Sequence, residues 1–147
     1  MSVAIADQSL ATLLITAALQ LLDKQPNLAG LNKADVHTRG KFDRPILVVN
    51  AVSDGERIYR SGVFSVDLTV DFLTTNKTDD ATFLQWEGRL WNLLSNTDLL
   101  PGQLNTEGEG LVVHAAMNPT SSPSEFSDLQ RDITYTVGLV AAKVAAE

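Results

Sequence analysis

The chain has 147 residues, 44% hydrophobic and 20% charged, with no cysteine and a formal net charge of −7. This length suits one domain that hides about two-thirds of the surface its unfolded chain would expose, and the missing cysteine excludes disulfides, thiolate metal sites and thiol catalysis. So acidic a surface repels phosphate at long range and argues against a nucleic-acid binder with a basic groove; the densest basic group, Arg39, Lys41 and Arg44, reads as a solvated loop.

The apolar run Leu10 to Leu22 is interrupted by Thr12, Thr16 and Gln20. It falls short of the roughly 20 residues of a membrane span and has no basic lead-in, so neither a span nor a signal peptide is expected. It predicts a helix capped by Asp7 or Ser9, reaching about Lys24 and stopped by Pro26. Leu10, Leu13, Leu14, Ala17, Ala18 and Leu21 form its core stripe. Ile15 and Leu19 fall on the other side, which gives the helix a second apolar surface. Asn27 to Phe42 is a connector with a short extended piece near Val36 to Arg39.

After Pro45, the run Ile46-Leu47-Val48-Val49 predicts a strand buried on both faces. Asp54-Gly55 signals a tight turn returning through Arg57-Ile58-Tyr59, and Gly62 a bulge. Val63 to Leu73 then alternates strictly: Phe64, Val66, Leu68, Val70 and Phe72 point one way, Ser65, Asp67, Thr69 and Asp71 the other. That period of two specifies a long strand with one buried and one wet face. A helix capped by Thr78 follows, with Asp79 and Asp80 at its positive end, and runs to about Ser95. Phe83, Trp86, Leu90, Leu93 and Leu94 make its main stripe; Leu84 and Trp91 form a second patch. Asn96 to Gly110 reads as loop, Leu111 to Met117 as a short strand, and Asn118 to Ser127 as an exposed loop. Arg131 to Leu139 repeats the alternation, and the alanine-rich tail after it either extends this strand or frays. The pattern is an α+β fold, a mainly antiparallel β-sheet with an N-terminal helix and a second helix packed on one face, in a single domain over 1–147.

No nucleophile elbow, phosphate loop or dinucleotide fingerprint is present. His37 and His114 lack partners at metal-ligand spacing. Asp67 and Asp71 lie roughly 13 Å apart along one strand, too far to act as an acid/base pair on one bond. With Asp132 they form an acidic sheet face, which serves either solubility or the lining of a passage. No catalytic residue, metal or cofactor is predicted.

The order of elements carries a resemblance. A helix and connector precede RPILVVN (Arg44 to Asn50). Then come SGVFSVDLTVDFLTT (Ser61 to Thr75), the helix TDDATFLQWEGRLWNLLS (Thr78 to Ser95), GLVVHAA (Gly110 to Ala116) and a last strand RDITYTVGLV (Arg131 to Val140). This resembles the tail-completion or tail-terminator proteins of long-tailed bacteriophages over roughly residues 5 to 142. The resemblance implies a virion structural protein and not an enzyme. Such proteins form a ring, commonly a homohexamer, that ends the tail tube at its head-proximal end and meets the head connector. The implied partners are copies of itself, the tail tube protein and a connector or stopper protein. DNA would traverse the lumen without specific binding, and no membrane is involved. The implied location is the virion tail or neck, after assembly in host cytoplasm.

Ile15, Leu19, Leu84 and Trp91 are the candidate subunit-interface residues, Trp91 being either an anchor or a cap on the core edge. Asp67, Asp71 and Asp132, with Glu107 and Glu109 if their loop points inward, are the candidate lumen lining. Two other readings stay open: a head-completion or stopper protein of the neck, and a monomeric ligand- or peptide-binding module.

Overall fold

The computed structural model describes residues 8–57, 63–75, 77–126 and 131–144. Ser9 caps the first helix, α1 (Leu10–Asp23), its hydroxyl accepting from the Thr12 backbone N–H at 3.1 Å. Lys24 ends it, and Pro26 begins a short 3₁₀ turn. Leu13, Leu14, Ala17, Ala18 and Leu21 are buried as the helical spacing predicts, and Leu22 joins them.

The connector is more structured than its composition suggests. Its extended piece is β1 (Asn32–Asp35), ahead of the expected Val36 to Arg39, where the chain instead turns into a 3₁₀ segment at Arg39–Lys41. The Asp35 carboxylate accepts from the His37 and Thr38 backbone N–H groups, which bends the chain at that point. β1 runs parallel to β2 (Ile46–Arg57), a pairing that needs the intervening connector to carry the chain back to the starting end. Ile46, Leu47, Val48 and Val49 are all buried, in keeping with an interior strand flanked on both sides.

Asp54-Gly55 does not turn the chain. β2 continues through it to Arg57, and the irregularity appears as a register slip against β3 between Ser53 and Arg57. The reversal itself, with Ile58, Tyr59 and Gly62, lies outside the described residues. β3 (Val63–Leu73) has the predicted alternation, with Val66, Leu68, Val70 and Phe72 buried.

Asp79, one residue beyond the expected Thr78, caps α2 (Asp80–Leu94) by accepting from the Thr82 backbone N–H. That bond holds the Asp79 carboxyl below its usual range. The stretch read as loop contains a third helix, α3 (Leu100–Glu107). Leu100 and Leu104, one turn apart, are fully buried, and the polar residues that disguise the helix are mostly its outer side.

β4 (Leu111–Phe126) likewise runs far past Met117 and takes in most of the expected loop. It is an edge strand, so Pro119 and Pro123 are tolerated, and it absorbs the misfit in three register slips and a left-handed Asn118 (φ 53°). β5 (Arg131–Lys143) extends the alternating strand into the alanine-rich tail.

The sheet order is β1-β2-β3-β5-β4, antiparallel except for β1 with β2. The three helices share one face, where a single core joins Leu14, Leu22, Phe72, Leu90, Leu104, Tyr135 and Leu139. Phe72 stacks on Phe83 at 5.4 Å and meets Trp86 edge-on at 6.3 Å. A second, small buried cluster (Ala34, Ile46, Val48, Leu73) lies on the opposite face at the start of β2. This is the α+β architecture that the sequence predicts, with one more helix.

Candidate functional site: the outer sheet face and its edges

The face turned away from the helices is ordered in rungs by strand register. Val52, Asp67, Gly138 and Met117 lie across β2, β3, β5 and β4 in one rung. Asn50, Thr69, Thr136 and Thr120 form the next, and Val48, Asp71, Thr134 and Ser122 the one after. Directly opposed residues share a face, so hydroxyl groups and two carboxylates dominate these three rungs, while the two ends of the face are more apolar, with Val63, Val140 and Ala142 at one and Ile46 and Leu73 at the other. Among the described residues, these strands place no lysine or arginine on it. Gly138 sits where β4 crowds in: a Cβ there would lie 3.3 Å from the Met117 carbonyl oxygen.

The five acidic candidates separate. Asp67 is exposed at the centre of the face, and Asp71 is half-buried, accepting from the Thr134 hydroxyl at 2.8 Å. Asp132 shares their face but is buried, and therefore does not line a passage. Its carboxylate is consumed by Arg44 at 2.7 Å and by the Thr74 backbone N–H at 3.2 Å. Arg44 also donates to the Thr74 carbonyl, so the β1–β2 connector is pinned to the end of β3 and the start of β5. Burying a carboxylate demands such a partner. Glu107 is not on a loop: it ends α3 and pairs with Lys24 at 2.7 Å on the helix side. Glu109 is exposed beyond that helix.

The four apolar candidates also differ. Leu84 is 61% exposed. Ile15, Leu19 and Trp91 are half-buried and pack against the main core, with the Trp91 ring centroid 6.5 Å from that of Tyr135.

Three residues that the sequence reading passed over matter here. Val52 and Met117 are exposed on the outer face, at 58% and 41%. Val52 was detectable by continuing the β2 alternation beyond Val49; Met117 gives no sequence signal. The third is Asn105 on α3. Its side-chain amide accepts from the Val113 N–H at 2.6 Å and donates to the Val113 carbonyl at 2.9 Å, engaging both backbone groups as a neighbouring strand would. Asn105 was hidden in the segment read as loop.

The two edges are therefore unequal. β1 covers β2 at Ile46 to Val49. β4 is an edge along its whole length, but it is occupied at Val113 by Asn105 and interrupted by Pro119 and Pro123.

An apolar cleft of about 380 Å³ opens at the start of α1, bordered by Leu10, Ala11, Ser53, Phe64 and Lys143. Among the described residues no three His, Asp or Glu side chains converge as a metal site, and no helix is long and apolar enough to cross a membrane. A scan against protein-family models and a search of curated proteins both find no match to this chain.

Proposed function

We propose that this chain is a ring-forming structural protein of a tailed virus particle, one that ends the tail tube at its head-proximal side and joins it to the head connector. The observation that carries the reading is the outer sheet face: hydroxyls and the carboxylates Asp67 and Asp71, with no lysine or arginine contributed by its strands among the described residues. Turned toward a lumen, such a surface lets DNA slide past, because each cationic phosphate contact would add binding and drag. The net charge of −7 acts in the same direction and is multiplied in a ring. Support also comes from β4, an edge strand of the described sheet, since a closed ring requires a head-to-tail contact between unlike surfaces. The order of elements that resembles tail terminators recurs in the fold, with α3 added.

The test is co-expression with the tube protein of the same genome, imaged by electron microscopy. Tubes of limited length bearing a ring at one end are expected. Tubes that grow without limit and bear no cap overturn the reading. Rings found only on the head portal would assign the chain to the stopper position.

The monomeric binding module has one observation in its favour, the cleft beside α1, whose size is within the range of small-molecule sites. A bound small molecule with a monomeric mass by light scattering would support that alternative.

A further inference from the structure

We infer that neighbouring copies of this chain join by overlapping the edges of their sheets, the β1–β2 connector of one copy lying on the outward flank of α2 of the next. In this contact Phe42 packs against Leu84 and Trp91, and Arg39 and Lys41 face Glu87. The inference rests on the ring reading and supplies its subunit contact.

The connector is one half. From Val36 to Phe42 it carries two cations, Arg39 and Lys41, and no acid. It also exposes two apolar side chains, Val36 at 36% and Phe42 at 45%. Arg39 and Lys41 are exposed, and among the described residues neither has an ion-pair partner. Of the flanking acids, Asp35 turns its carboxylate onto the His37 and Thr38 backbone N–H groups, and the exposed Asp43 adjoins Arg44. A greasy, basic surface thus stands out on a chain whose net charge is −7.

α2 is the other half. Its Trp86 turns toward the β1 side, the ring lying 3.2 Å from the place that a Cβ on Gly30 would take. Trp91, five residues on and about 140° round the helix, turns instead toward β5 and meets Tyr135. Leu84 stands on that second flank and is the more exposed of the two, while Gly88 beside it borders open space. Asp80 and Glu87 edge the flank. Asp80 is bridged to Arg131, whereas Glu87 has no ion-pair partner among the described residues. Arg89, the cation of this helix, falls about 140° away from Leu84. Beyond the flank, Ser121 and Pro123 of β4 oppose Tyr135 and Ile133 and so face the helix side, yet both are exposed. An apolar, acidic surface is therefore open toward the β4 edge.

Placement fits the two halves together. The sheet order puts β1 and β4 at opposite edges. The connector lies over the outer face, where Arg44 at its end reaches Asp132 and where Ala34, Ile46, Val48 and Leu73 are buried. The α2 flank is on the helix face. Two sheets of like orientation that overlap at their edges bring the outer face of one against the helix face of the next. That is a head-to-tail contact of unlike surfaces, the kind that closes a ring. It asks for no strand pairing from β4, whose prolines and left-handed Asn118 disfavour it. A second copy is the occupant because the chain itself carries the complementary surface. Opposite charges at the joint select the partner and its register, and Phe42 and Leu84 each cover apolar surface that a lone copy leaves wet.

Cysteine cross-linking tests the contact, because the native chain has no cysteine. Phe42→Cys and Leu84→Cys are made separately, mixed, assembled with the tube protein and treated with mild oxidant. A single variant cannot form a disulfide within one copy, so every link joins two copies. Bridged Cα atoms lie within about 7 Å, the spacing that direct packing of the two side chains gives. A mixed dimer should be the main product, and the double variant should give a ladder ending at the ring size. A homodimer of either variant as the main product would mean a two-fold contact and overturn the inference. Capped tubes without the mixed link overturn this contact alone, whereas tubes with neither cap nor link overturn both it and the ring. Charge reversal is the second readout. Glu87→Lys should reduce the assembled fraction about tenfold or more at fixed concentration, with unchanged far-ultraviolet circular dichroism. Adding Arg39→Glu and Lys41→Glu to the same chain should restore assembly. Undiminished assembly of the first variant, or no restoration in the second, overturns the contact.

Discussion

Tyr135 brings a hydroxyl into the main core and finds no hydrogen-bond partner for it. A buried donor without a partner costs about 1–3 kcal/mol, and the ring is retained for its contacts with Trp91 and the core around it. Tyr135→Phe should therefore leave stability unchanged or raise it by about 1 kcal/mol. Urea denaturation measures this; a loss of that size would mean that the hydroxyl has a partner. Burial, with a smaller contribution from the Glu87 carboxylate, pushes the phenol well above its ordinary range. The native state therefore holds this proton after an unfolded tyrosine has released it near pH 10. The stabilisation is complete below that pH and declines above it by up to about 1.4 kcal/mol per pH unit, because the unfolded state then binds fewer protons. An alkaline denaturation series should show a shallower decline in Tyr135→Phe. Asp132 is the opposite case, a buried polar group fully used. Asp132→Asn removes the charge that Arg44 faces and should cost on the order of 2 kcal/mol, moderated by the partial exposure of Arg44.

Among the elements, those whose pattern is periodic were legible in the sequence. β3 and β5 alternate without interruption, and α1 and α2 carry stripes and caps, so their existence and approximate bounds follow from side-chain geometry alone. The segments read as loop failed for two physical reasons. α3 has only two deeply buried residues, Leu100 and Leu104, too few to outweigh its Asn, Thr and Gly. β4 contains two prolines and an Asn with positive φ, which mark a loop unless the strand lies at an edge, a tertiary fact that local sequence does not carry. The error at Asp54-Gly55 is of the same kind, since a register slip accommodates the turn-forming pair within β2. α3 also positions Asn105. Asn105→Ala leaves two backbone groups of Val113 without their partner and should cost about 1–2 kcal/mol. Hydrogen exchange at the Val113 amide should accelerate accordingly, while amides in β3 retain their protection.

At the level of the whole molecule, the acidic character of the outer face was legible and its membership was not. Asp67 and Asp71 follow from alternation. Asp132 shares the alternation but is matched by Arg44, which is 88 residues away in the chain, and Glu107 by Lys24, 83 residues away. Long-range pairings of this kind leave no local trace. If the face lines a conduit, reversing its charge should matter more for transit than for assembly. Asp67→Lys with Asp71→Lys should yield complete particles with slowed or blocked genome passage, measured as DNA release. Unaltered infectivity would show that these carboxylates serve solubility alone.

The sheet order has a further consequence for biogenesis. β5 follows β4 in sequence yet lies inside the sheet, and among the described residues it is the strand that links β4 to β3. A chain made from its N-terminal side can pair β2 with β3 early, but β4 then meets only helices, as through Asn105, until β5 follows and inserts. Insertion of β5 between β3 and β4 is thus a non-local step on which the ordering of the β4 edge depends.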